Sequence, residues 1–327
     1  MALIYFDNNV FAHVNDVGEE GAFVEWLRSR GDRALLSYHH LWEGLAIGSS
    51  DLRQARIRLL RSLPCEYVDY PAYLEARDFL AEVRRCRPGW LRRFPDPGQA
   101  DVHLRFHRKL WRIAEHEDEV TKKATDIVRD MTNARRDHAV QVLKSLQTRK
   151  REGAQDIEEM VLGETVIRLG TARTLADPVA WWRRQGLDNW HASLLRGDPG
   201  LTDWTDYIGG YLDTRSITTE DFAQFWLDDI RPEAMPRSFV QAAALLAQLD
   251  SKILPSGMLD TDHVAAALDA DLFVTEDKGL YAVFASVRKL EERLPQPYLA
   301  RRAEASAVAA VNAVLGGSGD GSTSAAP

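Results

Sequence analysis

Only two cysteines, Cys65 and Cys86, occur in 327 residues. That is too few for a disulfide framework or a four-cysteine zinc site. No apolar run approaches the roughly 20 residues that a membrane-spanning helix needs. The opening Met1-Ala2-Leu3-Ile4-Tyr5-Phe6-Asp7 has no basic residue before a short apolar stretch, so it does not read as a secretory signal. No repeat of fixed period occurs, and a chain with 13 Pro and 21 Gly is neither collagen-like nor low in complexity as a whole. These absences lead to the expectation of a soluble, cytoplasmic protein in a reducing compartment, with no membrane partner. What is present suits folding: 45% hydrophobic residues, 28% charged residues and nine Trp. At roughly 100–200 residues per domain, the length predicts two compact units.

The net charge of −8 is unevenly spread. Between Ala81 and Arg151 there are 18 Lys/Arg against 10 Asp/Glu, a local excess of eight positive charges, which leaves −16 for the rest. A basic block in an acidic protein can steer a polyanion locally. Within it, Arg84, Arg85, Arg87, Arg92 and Arg93 flank Trp90, a grouping that suits phosphate contact with base stacking. The plain alternative is a buried Trp90 among solvated arginines. His103 and His107 stand four apart and could share a metal, but the HExxH pattern is absent and a solvated basic face is the simpler reading. Trp181-Trp182 reads as core packing.

Hydrophobic patterning predicts strands at Ala2–Phe6, Ala34–Leu36, Cys65–Tyr70 and Leu272–Thr275, alternating with helical segments. That alternation argues for a parallel sheet covered by helices. Ser37 is placed to cap the helix that follows the second strand. From Phe79 to Arg237 the pattern changes to helices with dense charge, including long amphipathic helices over Asp101–Glu164, and no convincing strand. The expected organisation is a discontinuous α/β domain over 1–78 and 238–300. It is interrupted by a mainly α-helical, partly basic insertion over 79–237 and followed by a helix end and small-residue tail over 301–327.

Four carboxylates stand where a parallel sheet would build a site, outside the carboxyl ends of its strands. Asp7 follows the first strand, and Asp277 lies two residues beyond the last. Asp260 opens a helix whose apolar stripe carries Val264, Ala267 and Leu268, and helical geometry points it inward. Asp262, about 200° around that helix, is expected at solvent or behind the first carboxylates. Glu43 lies at the edge of the buried face of the helix after Ser37, next to Gly44. His39-His40 is close to Glu43, and at most one of the two is expected to face a substrate.

The order Asp7-Asn8-Asn9, then Leu41-Trp42-Glu43-Gly44-Leu45, then Asp260-Thr261-Asp262-His263-Val264 and Phe273-Val274-Thr275-Glu276-Asp277 resembles the PIN-like nuclease family. The resemblance covers about 140 residues and does not include the insertion, which is large for that family. It implies a three-layer α/β/α domain with a central parallel sheet. It further implies that Asp7, Glu43, Asp260 and Asp277 hold one or two Mg²⁺ or Mn²⁺ ions, with Asn9, Asp262 and Thr275 behind them. The activity implied is hydrolysis of phosphodiester bonds, RNA before DNA, leaving 5′-phosphate and 3′-hydroxyl ends. An inhibitory or regulatory protein partner is also compatible with the family. Independently of any family, several ionised carboxylates at one place call for a cation, and oxygen donors select Mg²⁺ or Mn²⁺.

Two other readings stand beside this one. The fold could serve as a non-catalytic RNA- or protein-binding module. Asp7-Asn8-Asn9-Val10 also resembles the start of a haloacid-dehalogenase-type phosphatase, but Asn9 stands where that chemistry needs a second Asp as general acid.

Overall fold

A computed structural model describes residues 1–114, 123, 125–127, 129–130, 140–141, 143–144, 146–148, 156–162, 165–174, 177–196, 204–249, 257–291 and 304–306. The chain divides into two compact units, Met1–Val68 with Trp111–Arg135 and Asp262–Pro327, and Asp69–Leu110 with Arg136–Thr261. The divisions differ from the expected ones. The helices Pro71–Cys86 and Pro236–Gln248 both belong to the second unit.

The first unit is α/β. Strands β1 (Leu3–Phe6), β2 (Arg33–Leu36) and β3 (Cys65–Tyr67) run parallel, with β2 between the other two. The strand Leu272–Val274 pairs parallel with β1 on its other side, through Ile4↔Leu272, Tyr5↔Phe273 and Phe6↔Val274. The chain thus winds outward from β1 to β3 and returns to the opposite side of β1, which makes β1 the point where the strand order reverses. Glu304–Ser306, expected at a helix end, pairs as a further parallel strand beside Leu272–Val274. The open edge of that strand offers unpaired backbone groups, and pairing satisfies them. The rest of 301–327 lies outside the described residues.

The first two parallel connections are helical: α1 (Asn8–Val17) and α2 (Glu20–Arg30) after β1, α3 (Tyr38–Ala46) and α4 (Ser50–Ser62) after β2. Gly18 and Gly31 end α1 and α2 in the left-handed region, at φ 72° and 68°, where only glycine sits without strain. Strand residues alternate between faces. Ile4, Phe6, Ala34, Leu36 and Val274 join Val10, Phe11, Val14, Phe23, Leu27, Leu59 and Leu60 in one core. Tyr5 and Phe273 point the other way, where Phe273 stacks on Phe284 and Tyr5 meets His263. Among the described residues no helix is long and apolar enough to cross a membrane.

The second unit is built on aromatic packing. Phe79 stacks on Trp190 at 4.1 Å between ring centres, and Trp190 stacks on Trp204 at 4.7 Å. Trp181 and Trp182 are buried, as their reading as core predicts, and each indole N–H finds an acceptor: the Ala242 carbonyl at 2.9 Å and Ser238 Oγ at 3.1 Å. One expectation fails here. Asp156–Leu162 and Thr165–Thr174 form an antiparallel pair, not the end of a long helix. The β-branched run Thr165-Val166-Ile167 and the Thr171–Thr174 stretch favour extended backbone over the helix that the charge density suggests.

The helix Pro178–Leu194 comes against the buried Trp226 ring at Gly186, where an added Cβ would overlap the indole. A fully buried ring has nowhere to go. Gly186→Ala is expected to lower stability by about 1–3 kcal/mol, read as a drop in Tm. A Tm at or above that of the unsubstituted protein would contradict this packing.

Candidate functional site

Because the strands are parallel, their carboxyl ends share one edge of the sheet. Asp7 leaves β1 there, and its N–H donates to the Val274 carbonyl at 2.8 Å, which carries the strand pairing one residue past β1. The Thr275 hydroxyl donates to Asp7 Oδ2 at 2.9 Å and accepts the Asp277 N–H at 3.0 Å. One hydroxyl therefore holds the Asp7 carboxylate and the Asp277 backbone. Asp277 Oδ1 accepts the N–H groups of Gly279 and Leu280 at 2.6 and 3.1 Å, so it caps the helix Lys278–Glu291. Asp7 is 4% exposed. Burial pushes its carboxyl above the usual range, His263 and the Thr275 hydrogen bond pull it back, and the charge of Glu43 raises it again.

Glu43 comes from α3, after β2. Its Oε2 accepts from Asn8 Nδ2 at 2.5 Å, and its Oε1 lies 3.4 Å from His263 Nε2. Burial opposes ionisation of Glu43, yet the pull of His263 and the two hydrogen bonds prevail, and its pKa falls to about 2. An ionised carboxylate only accepts, so His263 Nε2 carries a hydrogen. His263 Nδ1 in turn lies 2.7 Å from the Tyr5 hydroxyl, which lies 3.0 Å from Ser37 Oγ. Tyr5 is fully buried, and desolvation raises its pKa well above the usual value, so it stays a phenol.

His40 ties this corner together. The Ser37 N–H donates to its Nδ1 at 2.9 Å, and Nε2 lies 2.6 Å from the Phe6 carbonyl oxygen. A backbone N–H can only give and a carbonyl can only receive, so the proton sits on Nε2 and the ring is neutral. Complete burial, reinforced by His263, holds its pKa at about 3. His39 is buried as well, with Nδ1 3.7 Å from Asp262 Oδ2. Both neighbouring histidines thus lie inside, because the first turn of α3 is covered around its circumference. Arg56, from α4, is 7% exposed and donates to Asn15 Oδ1 at 2.9 Å and to the Asn8 carbonyl at 3.2 Å. Burial lowers its pKa, while the charges of Glu43, Asp16 and Asp7 oppose that.

The other expected residues differ in burial. Asp260 is half-buried in the first turn of the helix Gly257–Ala266 and is counted with the second unit. Asp262 is partly exposed and pairs with His39, in keeping with a place behind the first carboxylates. Asn9 is exposed, and its neighbour Asn8 is the residue that reaches Glu43. The sequence offered the signal: Asn8 is three residues before the buried Phe11, on the same stripe of α1. Asn8 Oδ1 is buried and has no hydrogen-bond partner. Tyr5, Asn8 and Arg56 were not singled out from the sequence, and His263 entered only as part of a motif.

The grouping around Trp90 is corrected. Trp90 is buried and donates to Asp221 Oδ2 at 2.8 Å, so it presents no face to a base. Arg87 bonds Asp221 and Asp229, both at 2.7 Å. Arg85 forks onto Glu82, and Arg92 donates to the Leu212 carbonyl at 2.8 Å. These guanidiniums are committed within the second unit. Arg84 and Arg93 are exposed, and Arg93 lies over the exposed ring of Phe94 at 5.4 Å. His103 pairs with Asp206, whereas His107 stacks on Tyr70, so the two go to different partners.

Among the described residues, no three His, Cys, Asp or Glu converge closely enough to hold a metal ion as they stand. Compared with known proteins, the chain matches no family model, no curated protein and no solved structure.

Two expectations follow from these contacts. Between pH 6.5 and about 3 the unfolded chain takes a proton at His40 that the folded chain refuses. Stability from this source is complete above pH 6.5 and falls with pH through that window, by about 1.4 kcal/mol per unit at most. His40→Gln should be less stable at pH 7 and should lose this part of the slope. Urea unfolding of both proteins at pH 7 and 5 measures it, and parallel slopes would refute the assignment. Separately, Arg87→Ala should cost about 1–3 kcal/mol of stability, the worth of hydrogen bonds to charged groups. Retention of single-stranded RNA on a filter should be unchanged; weakened retention at full stability would restore Arg87 as a phosphate contact.

Proposed function

We propose that the first unit is a PIN-like domain of three-layer α/β/α architecture and acts as a metal-dependent ribonuclease that leaves 5′-phosphate and 3′-hydroxyl ends. The observation that carries this reading is the meeting of Asp7 and Glu43. Asp7 comes from the end of β1 and Glu43 from α3; Asn8, next to Asp7, bonds Glu43, and the charge of Glu43 raises the pKa of Asp7. The Thr275 hydroxyl adds Asp277 to the same edge. The architecture is supported by β1, whose alternate residues meet helical side chains on opposite faces.

The donor set fits a hard divalent ion in kind: carboxylate oxygens, like charges in need of compensation, and a buried amide oxygen without a donor. Asp7 and Glu43 would hold Mg²⁺ or Mn²⁺, with Asp277 on the same edge of the sheet. When bound, such an ion supplies activation of water and stabilisation of the charge on phosphate and leaving oxygens. The protein's own part is orientation. Asn8 and His263 fix the two oxygens of Glu43, Thr275 fixes Asp7, and Tyr5 with Ser37 fixes His263. The preference for RNA rests on the family resemblance, and Arg84 and Arg93 are exposed members of the expected basic grouping.

A specific observation favours a second reading, a binding module without turnover. Both Glu43 oxygens are occupied by protein donors, and no three-residue metal group is assembled among the described residues. Asp7→Asn separates the two. A buried carboxylate is costly to keep ionised, so the neutral amide should leave Tm unchanged or higher. Mn²⁺-dependent cleavage of labelled single-stranded RNA should be lost. Cleavage at the original rate would refute the nuclease site, and absence of cleavage in the unsubstituted protein would favour the binding module.

A further inference from the structure

The short donor set poses a question that Asn8 answers. Asn8 is the first residue of α1, 6% exposed, and its amide is anchored at one end only. Its Nδ2 donates to Glu43 Oε2 at 2.5 Å. Its Oδ1 is buried and without a hydrogen-bond donor. Buried acceptors are nearly always satisfied, and this one sits on the residue that follows Asp7 and bonds Glu43, where a cation would supply the missing partner. Asn9, the position the family pattern would favour, is exposed.

We propose that Asn8 Oδ1 is a direct ligand of the divalent cation that Asp7 and Glu43 hold, so that this site is completed by a neutral amide oxygen. The proposal rests on the metal-dependent reading of the site. It explains why His, Cys, Asp and Glu alone do not complete a metal group there. It also gives Asn8 two tasks, holding Glu43 through nitrogen and the ion through oxygen.

Calorimetric titration with Mn²⁺ alone tests this, on the full chain and on Asn8→Ala, Asn8→Asp, Asn9→Asp and Asp7→Asn, with folding followed by circular dichroism. Asn8→Ala is expected to weaken Mn²⁺ binding by about tenfold or more. Asn8→Asp keeps an oxygen at the position and should bind as tightly as the unsubstituted protein or tighter. Asn9→Asp adds the same charge one residue away and should leave the affinity unchanged, so that recovery at position 8 is not a matter of net charge. Equal weakness of Asn8→Ala and Asn8→Asp would show that only the bond to Glu43 matters, and would overturn the proposal. So would normal binding by Asn8→Ala. If Asn8→Ala does not fold, Asn8→Asp decides alone, and weakened binding refutes the ligand role. Binding that is lost in Asp7→Asn but intact in Asn8→Ala would leave the metal reading standing without Asn8. No binding by the unsubstituted protein would remove both.

Discussion

The carbonyl of Phe6 and the N–H of Ser37 mark the ends of two neighbouring parallel strands, and His40 binds both. At that point the sheet has run out, so these two groups lose the ladder that would otherwise satisfy them. A single neutral imidazole replaces it, receiving at one nitrogen and giving at the other. The end of β1 is thereby locked to the first turn of α3, and Asp7, one residue past Phe6, is locked relative to Glu43, three residues past His40. Gly44 allows the next layer to come close: a side chain there would press on Ile57 and on the stem of Arg56. Arg56 uses that room to reach the Asn8 carbonyl from α4.

Once the carboxylates are fixed, their electrostatics diverge. Asp7 and Glu43 face the same opposing pressures, since desolvation penalises both and each repels the other. Glu43 has two donors and the nearby His263 and is driven down to about 2. Asp7 has the Thr275 hydroxyl and a weaker share of His263, and it stays raised. The pair is thus divided into a firmly ionised member and one that keeps its charge at a cost. Arg56 offsets part of the negative charge from behind, through the backbone of Asn8 and not through an ion pair with either carboxylate.

The strands were legible because buried parallel strands are short apolar runs, and all four predicted runs overlap an observed strand. Their carboxyl ends made Asp7 and Asp277 conspicuous without any knowledge of contacts. Helical phase was enough to set Glu43 at the edge of a buried face. What phase alone could not supply was the choice between adjacent residues. Asn8 and Asn9 look alike in the chain, yet the stripe of Phe11 and Val14 turns one inward and leaves the other in water. The Tyr5–His263 bond joins residues 258 positions apart, and no local rule places them together. The strand pair Asp156–Leu162 and Thr165–Thr174 shows the opposite failure, in which charge density suggested helix and branched side chains decided otherwise.

The basic block illustrates why charge counted along a chain is not charge on a surface. Its excess of eight positive charges is real in sequence, but Arg87 meets acids 134 and 142 residues away, and Arg85 is neutralised by Glu82 one turn before it. Trp90, which seemed to offer a stacking face among those arginines, spends its indole N–H on the same Asp221 that binds Arg87. The aromatic ring left in water beside a guanidinium is that of Phe94, 80% exposed, under Arg93. A field able to attract a polyanion must come from cations that find no acid within the fold, and Arg84 and Arg93 are two such exposed residues.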